Sequence, residues 1–185
     1  MLKKFTLLSA AIIASSIISL TISHTANAKT TQVSDVAQTT ADYAVSKYQH
    51  DMVESLRALV KHNTVAQEGV LVDDNPAHIA FKAELKKQAQ ALGLDYTDDG
   101  YVVVIGLGTQ KERVGIITHG DVQPVNAKKW QKSPFELDIT TEPGRLIGRG
   151  TEDDKGPIST ALYAMKAIKD KKIALNKRIE LYVYM

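Results

Sequence analysis

The chain has 185 residues, enough for one domain of ordinary size, and its 44% apolar and 24% charged content is that of a globular protein. A formal charge of +2 is close to neutral and argues against a nucleic-acid partner. There is no cysteine, which excludes both a disulfide framework and a cysteine-ligated zinc.

Residues 1–28 read as a signal peptide. Lys3 and Lys4 form a basic start, an apolar run follows, and Ala26-Asn27-Ala28 has the small-x-small pattern that signal peptidase cuts. Serines and threonines inside the run favour cleavage over a membrane anchor. The mature chain is therefore expected to start at Lys29, in a periplasmic or secreted location, with no stable membrane association after cleavage. Residues 29–40 are expected to form a flexible leader and 41–185 the folded part.

Residues 41–60 are predicted helical, because Met52, Val53, Leu56, Leu59 and Val60 recur at helical spacing. His62, Asn63 and Thr64 break the pattern. A polar loop centred on Val70, Leu71 and Val72 follows. Asn75 is a candidate cap, Pro76 suits a first turn, and a helix is predicted over 77–92 with Ile79, Phe81, Leu85, Ala89 and Leu92 on its apolar side. Gly93 is its stop. Residues 94–96 and 101–105 read as a hairpin around a turn at 97–100. Gly106-Leu107-Gly108 is not a dinucleotide loop, since position 111 is Lys111 and no helix follows. Residues 108–112 are predicted to be a hairpin turn into a strand at 113–118.

Lys128, Lys129 and Lys132 surround Trp130 in a basic segment read as a solvated loop. A strand is predicted over 135–141 and a turn at 142–144. Residues 157–169 read as a helix whose stripe of Ile158, Ala161, Leu162, Met165 and Ile168 is core. A last strand is predicted over 178–183. His50, His62 and His78 lack partner motifs and are assigned to surface or loop positions.

Two short signatures carry the chemistry. In Thr118-His119-Gly120-Asp121-Val122-Gln123-Pro124, His119 follows an apolar run that reads as a buried strand. In Gly148-Arg149-Gly150-Thr151-Glu152-Asp153-Asp154-Lys155-Gly156-Pro157, Asp153 follows a glycine-rich turn and precedes a helix. Functional groups in open α/β sheets gather beyond the carboxyl ends of strands. Neutral imidazole is a good zinc ligand, and its second nitrogen is usually held by a carboxylate or carbonyl. Asp121, two residues on, would face the same side and could orient His119. A single histidine after a strand is more often structural, and an acidic pair before a helix more often caps it. The two motifs together decide for His119 and Asp153; they add little for Asp154 and Lys155.

These motifs, with Trp130, Ser133-Pro134-Phe135 and Leu146-Ile147 between them, resemble the dinuclear-zinc exopeptidases and deacylases, a group that includes bacterial dipeptidases, carnosinases, aminoacylases and glutamate carboxypeptidases. The resemblance implies an α/β fold, a mixed sheet flanked by helices. It implies His119 as a ligand of one Zn2+, Asp121 as its orienting partner, and Asp153 as a bridge between two Zn2+, with a cis Asp153–Asp154 peptide common in such enzymes. The implied activity is hydrolysis of short peptides by a metal-activated water. Asp153 to Pro157 and residues 94–100 look more like dipeptidases than N-acyl-amino-acid deacylases, which are the alternative.

The same resemblance puts the general base in a Glu-Glu pair just after the strand at 178–183, with further ligands and a lid domain later still. Those positions lie beyond Met185. Two ligands cannot hold two zinc ions tightly, so the 185-residue chain is expected to be inactive alone, or to be a non-enzymatic remnant. An open sheet edge is expected at the last strand.

Overall fold

The computed structural model describes residues Val33–Met185; the signal segment and the start of the leader lie outside the described residues. Helix α1 spans Asp35–Val60, so it starts inside the stretch expected to be a flexible leader. Ser34 sets that start: its hydroxyl accepts from the Ala37 N–H at 3.2 Å, satisfying one of the open donors of the first turn. Asp35 adds a negative charge where the helix dipole favours it. After a short 3-10 turn at Val72–Asp74, helix α2 spans Pro76–Leu92. Asn75 caps it through the Ala77 N–H at 3.0 Å, and Gly93 ends it in the left-handed region at φ 65°. Of the predicted apolar triplet before it, Val72 alone is buried; Val70 and Leu71 face solvent.

Four strands follow: β1 (Asp95–Asp98), β2 (Val102–Leu107), β3 (Arg113–His119) and β4 (Arg178–Tyr184), with helix α3 (Lys155–Asp170) between the last two. β1 and β2 form the expected antiparallel hairpin. β2 and β3 do not. The sheet order is β1-β2-β4-β3, with β4 antiparallel to β2 and parallel to β3. The turn at 108–112 therefore carries the chain past the place that β4 fills, and β3-α3-β4 is a crossover unit.

Burial explains the order. Leu181 and Val183 of β4 are fully buried, whereas Val114, Ile116 and Ile117 of β3 are 48%, 39% and 74% exposed. The strand with the fully buried side chains takes the centre. The other face of β4 is fastened by charge. Arg178 lies across Gly106, where a Cβ would stand 2.0 Å from its Nη2, and reaches Asp95 of β1 at 2.8 Å. Glu180 accepts from Arg178 at 2.9 Å and pairs with Arg113 of β3 at 3.3 Å. Two expectations are thus corrected: β3 is not a buried strand, and the last strand is interior, the sheet's edges being β1 and β3.

The core lies on one side of the sheet. Leu59 of α1, Phe81 and Leu85 of α2, and Ile158, Leu162 and Met165 of α3 pack on Val103, Ile105, Leu181 and Val183. α1 also packs along α3 through Ala44, Tyr48 and Ala167. The predicted strand at 135–141 is absent; only an isolated bridge joins Asp138 to Ile147. The Asp138 carboxylate takes the Thr140 and Thr141 N–H groups at 2.8 and 3.1 Å and the Lys132 ammonium at 2.7 Å. A side chain that captures its own backbone this way makes a turn, not a ladder. The turn at 142–144 is present, with the Arg145 N–H on the Glu142 carbonyl at 3.1 Å.

Candidate metal centre

β3 delivers His119 as its last residue, and the glycine-bearing turn before α3 delivers Asp153. Thirty-four positions apart in the chain, His119 Nε2 and Asp153 Oδ1 stand 2.8 Å apart. The other ring nitrogen, Nδ1, is 3.1 Å from both the carbonyl and Oδ1 of Asp121. The Asp153–Asp154 peptide is cis. Asp154 occupies the cap position of α3 but makes no capping bond; its Oδ2 accepts the His119 backbone N–H at 3.3 Å. The Tyr184 ring flanks His119, with centroids 5.8 Å apart.

The electrostatics follow from this layout. Burial pulls the His119 imidazole down, but the hydrogen bonds to Asp153 and to the Asp121 backbone, and both carboxylate charges, raise it overall. A divalent cation would compete with that proton for Nε2. Asp153 is 78% exposed at its side chain, so the opening faces solvent.

Sequence reasoning passed over Lys155. It is fully buried, donates to the His62 carbonyl at 2.7 Å, and has its Nζ 5.1 Å from the centre of the Phe81 ring. Burial pulls its ammonium down to about 7, against the opposing charge of Asp121. His78 was also misassigned. It is buried in the first turn of α2, with Nε2 3.1 Å from the Thr64 carbonyl. His62 sits edge-on to Phe81, and His50 is exposed. The basic segment is a solvated loop in which Arg149 lies 5.9 Å from the Trp130 ring.

The donor set suits zinc, but only in part. An imidazole oriented by one carboxylate, with its other nitrogen 2.8 Å from a second carboxylate, would supply two of the donors that a zinc ion needs. Among the described residues no group of three or more His, Cys, Asp or Glu side chains is placed to hold a metal.

A sequence profile described as peptidase family M20/M25/M40 matches residues 115–184, a stretch that holds both motifs. Residues 115–184, a stretch of less than half the chain's length, are thus similar to this family. Members of the M20 family are metal-dependent. A beta-Ala-Xaa dipeptidase from Lactobacillus delbrueckii subsp. lactis is 40% identical over 80 residues, covering 43% of this chain and 17% of that protein. A crystal structure of human carnosine dipeptidase 1 shares the fold with a TM-score of 0.67 at 23% identity, covering 80% of this chain and 34% of that one. An M20-family metallo-carboxypeptidase from Sulfolobus solfataricus is 26% identical with a TM-score of 0.57, covering 75% of this chain and 30% of that one. The chain thus spans about a third or less of the length of these relatives.

Proposed function

We propose that this chain is part of a zinc-dependent dipeptidase acting on short peptides outside the cytoplasm. One observation carries the reading: an imidazole and a carboxylate, distant in sequence, converge to 2.8 Å at the carboxyl end of β3. The dipeptidase name of the Lactobacillus relative and the match to the M20 profile support the same direction. Zinc, when bound, would supply a polarised carbonyl and an activated water. His119 and Asp153 would hold it, Asp153 shared between two ions. Asp121 would fix the His119 tautomer so that Nε2 presents its lone pair outward. Asp154 would steady the backbone at His119.

With two donors among the described residues, the chain alone binds one ion weakly and does not turn over peptide. Calorimetry of residues 29–185 with zinc tests this. Weak binding of one ion, lost in His119→Ala and in Asp153→Asn, is expected. Binding that persists in both variants removes the basis of the proposal. A panel of dipeptides against N-acetyl amino acids, run with a longer form that completes the ligand set, separates dipeptidase from deacylase. Export is tested by amino-terminal sequencing of the processed protein, with Lys29 expected as the first residue.

A further inference from the structure

Thr64 has no role in either signature, yet it touches the loop that carries His119 and Asp121 from two directions. It is fully buried. Its hydroxyl donates to the Gly120 carbonyl at 2.6 Å, and its own carbonyl accepts the Val122 N–H at 3.1 Å. Gly120 and Val122 bracket Asp121. On the opposite side, the Gly120 N–H bonds to the Tyr184 carbonyl at 2.7 Å, so the loop is tied to β4 and to Thr64 at once. A second helix reinforces the arrangement. His78 of α2 is 3% exposed and bonds through Nε2 to the same Thr64 carbonyl at 3.1 Å. A carbonyl can only accept, so His78 Nε2 is the donor in that bond.

We infer that Thr64, itself held by His78, is a positioning residue that sets where Asp121 meets the His119 ring. The inference rests on the reading of His119 as a metal ligand. The physical reason is geometric. Asp121 contacts His119 Nδ1 through both its carbonyl and its carboxylate, so a small shift of the 120–122 backbone turns the ring and moves Nε2. Groups that orient a metal-ligating histidine typically alter metal affinity 10- to 100-fold when removed. Thr64 acts through one further bond, so about a tenfold loss is expected.

The test compares Thr64→Val, which removes the hydroxyl but keeps the shape, with Thr64→Ser, which keeps it. Zinc affinity is measured by calorimetry, with the amide exchange of Val122 and the His119 ring signals followed by NMR. Thr64→Val is expected to weaken zinc about tenfold, speed exchange at Val122 and shift the His119 ring signals, with Thr64→Ser restoring all three. If Thr64→Val does not fold, His78→Leu removes the other bond to the same residue and is expected to act in the same direction. Wild-type zinc affinity and His119 signals in either folded variant overturn the inference. Fast exchange at Val122 in the wild type overturns it without any variant. If His119→Ala leaves zinc binding intact, the metal reading has failed instead, and the NMR signals of the metal-free protein still decide for Thr64.

Discussion

Burying Lys155 should make the stability of this protein rise in mildly alkaline solution. The folded ammonium titrates near 7, while a lysine in an unfolded chain titrates near 10.4. Below pH 7 the amine is charged in both states, and folding carries the full cost of burying that charge. Between these values the folded protein has released a proton that the unfolded chain still holds. Stability then rises with pH by at most about 1.4 kcal/mol per unit, and levels off above 10.4. From pH 8 to pH 10 the ceiling is about 2.7 kcal/mol. Lys155→Met keeps the bulk of the side chain and removes the titration. Its loss of the bond to His62 adds an offset of about 1–3 kcal/mol that does not vary with pH. The slope is therefore the diagnostic quantity. His62 lies outside the window, because burial and then the neighbouring lysine charge lower it. Urea unfolding followed by circular dichroism in EDTA, from pH 6.5 to 10, should show the wild type gaining on the variant as pH rises. A constant difference between the two proteins across that range would refute the reasoning.

Three further outcomes are expected. Leu162→Ala, in the fully buried stripe of α3, should cost about 2–5 kcal/mol in urea unfolding; a loss below about 1 kcal/mol would mean that α3 is not seated on the sheet as described. Ile117→Lys should change stability in urea unfolding by less than about 0.5 kcal/mol, because Ile117 is 74% exposed on the edge strand β3; a loss above about 1 kcal/mol would mean that this face of β3 is covered. Asp153→Asn should lower the His119 titration midpoint seen by NMR in metal-free protein, since the Asp153 hydrogen bond and charge both raise it; an unmoved midpoint would show that the two side chains do not meet.

What could be read in the sequence was local. The Asn75 cap, Pro76 in the first turn, the Gly93 stop and the apolar stripe of α3 all depend on residues within a turn or two of one another. So does the pairing of His119 with Asp121, two positions apart. Even the early start of α1 was legible in Ser34 and Asp35, a cap signal that the polar composition of the leader obscured. The motifs pointed to His119 and Asp153 as a pair because two chemically matched ligand positions, each beside a strand end or helix start, are informative together.

What only the tertiary structure decided was who lies beside whom. β4 separates β2 from β3 because its Leu181 and Val183 are fully buried while Val114, Ile116 and Ile117 of β3 are exposed, a preference that no turn at 108–112 can express. The stretch at 135–141 alternates like a strand, yet Asp138 captures its own backbone and leaves no ladder to form. Lys155 carries no sequence sign of burial until the His62 carbonyl and the Phe81 ring meet its ammonium, and Thr64 reads as a helix breaker until Gly120 and Val122 arrive from more than fifty positions away. Caps and stripes are set by neighbours along the chain, whereas burial and strand order are set by neighbours in space. The second kind of neighbour exists only once the chain has folded.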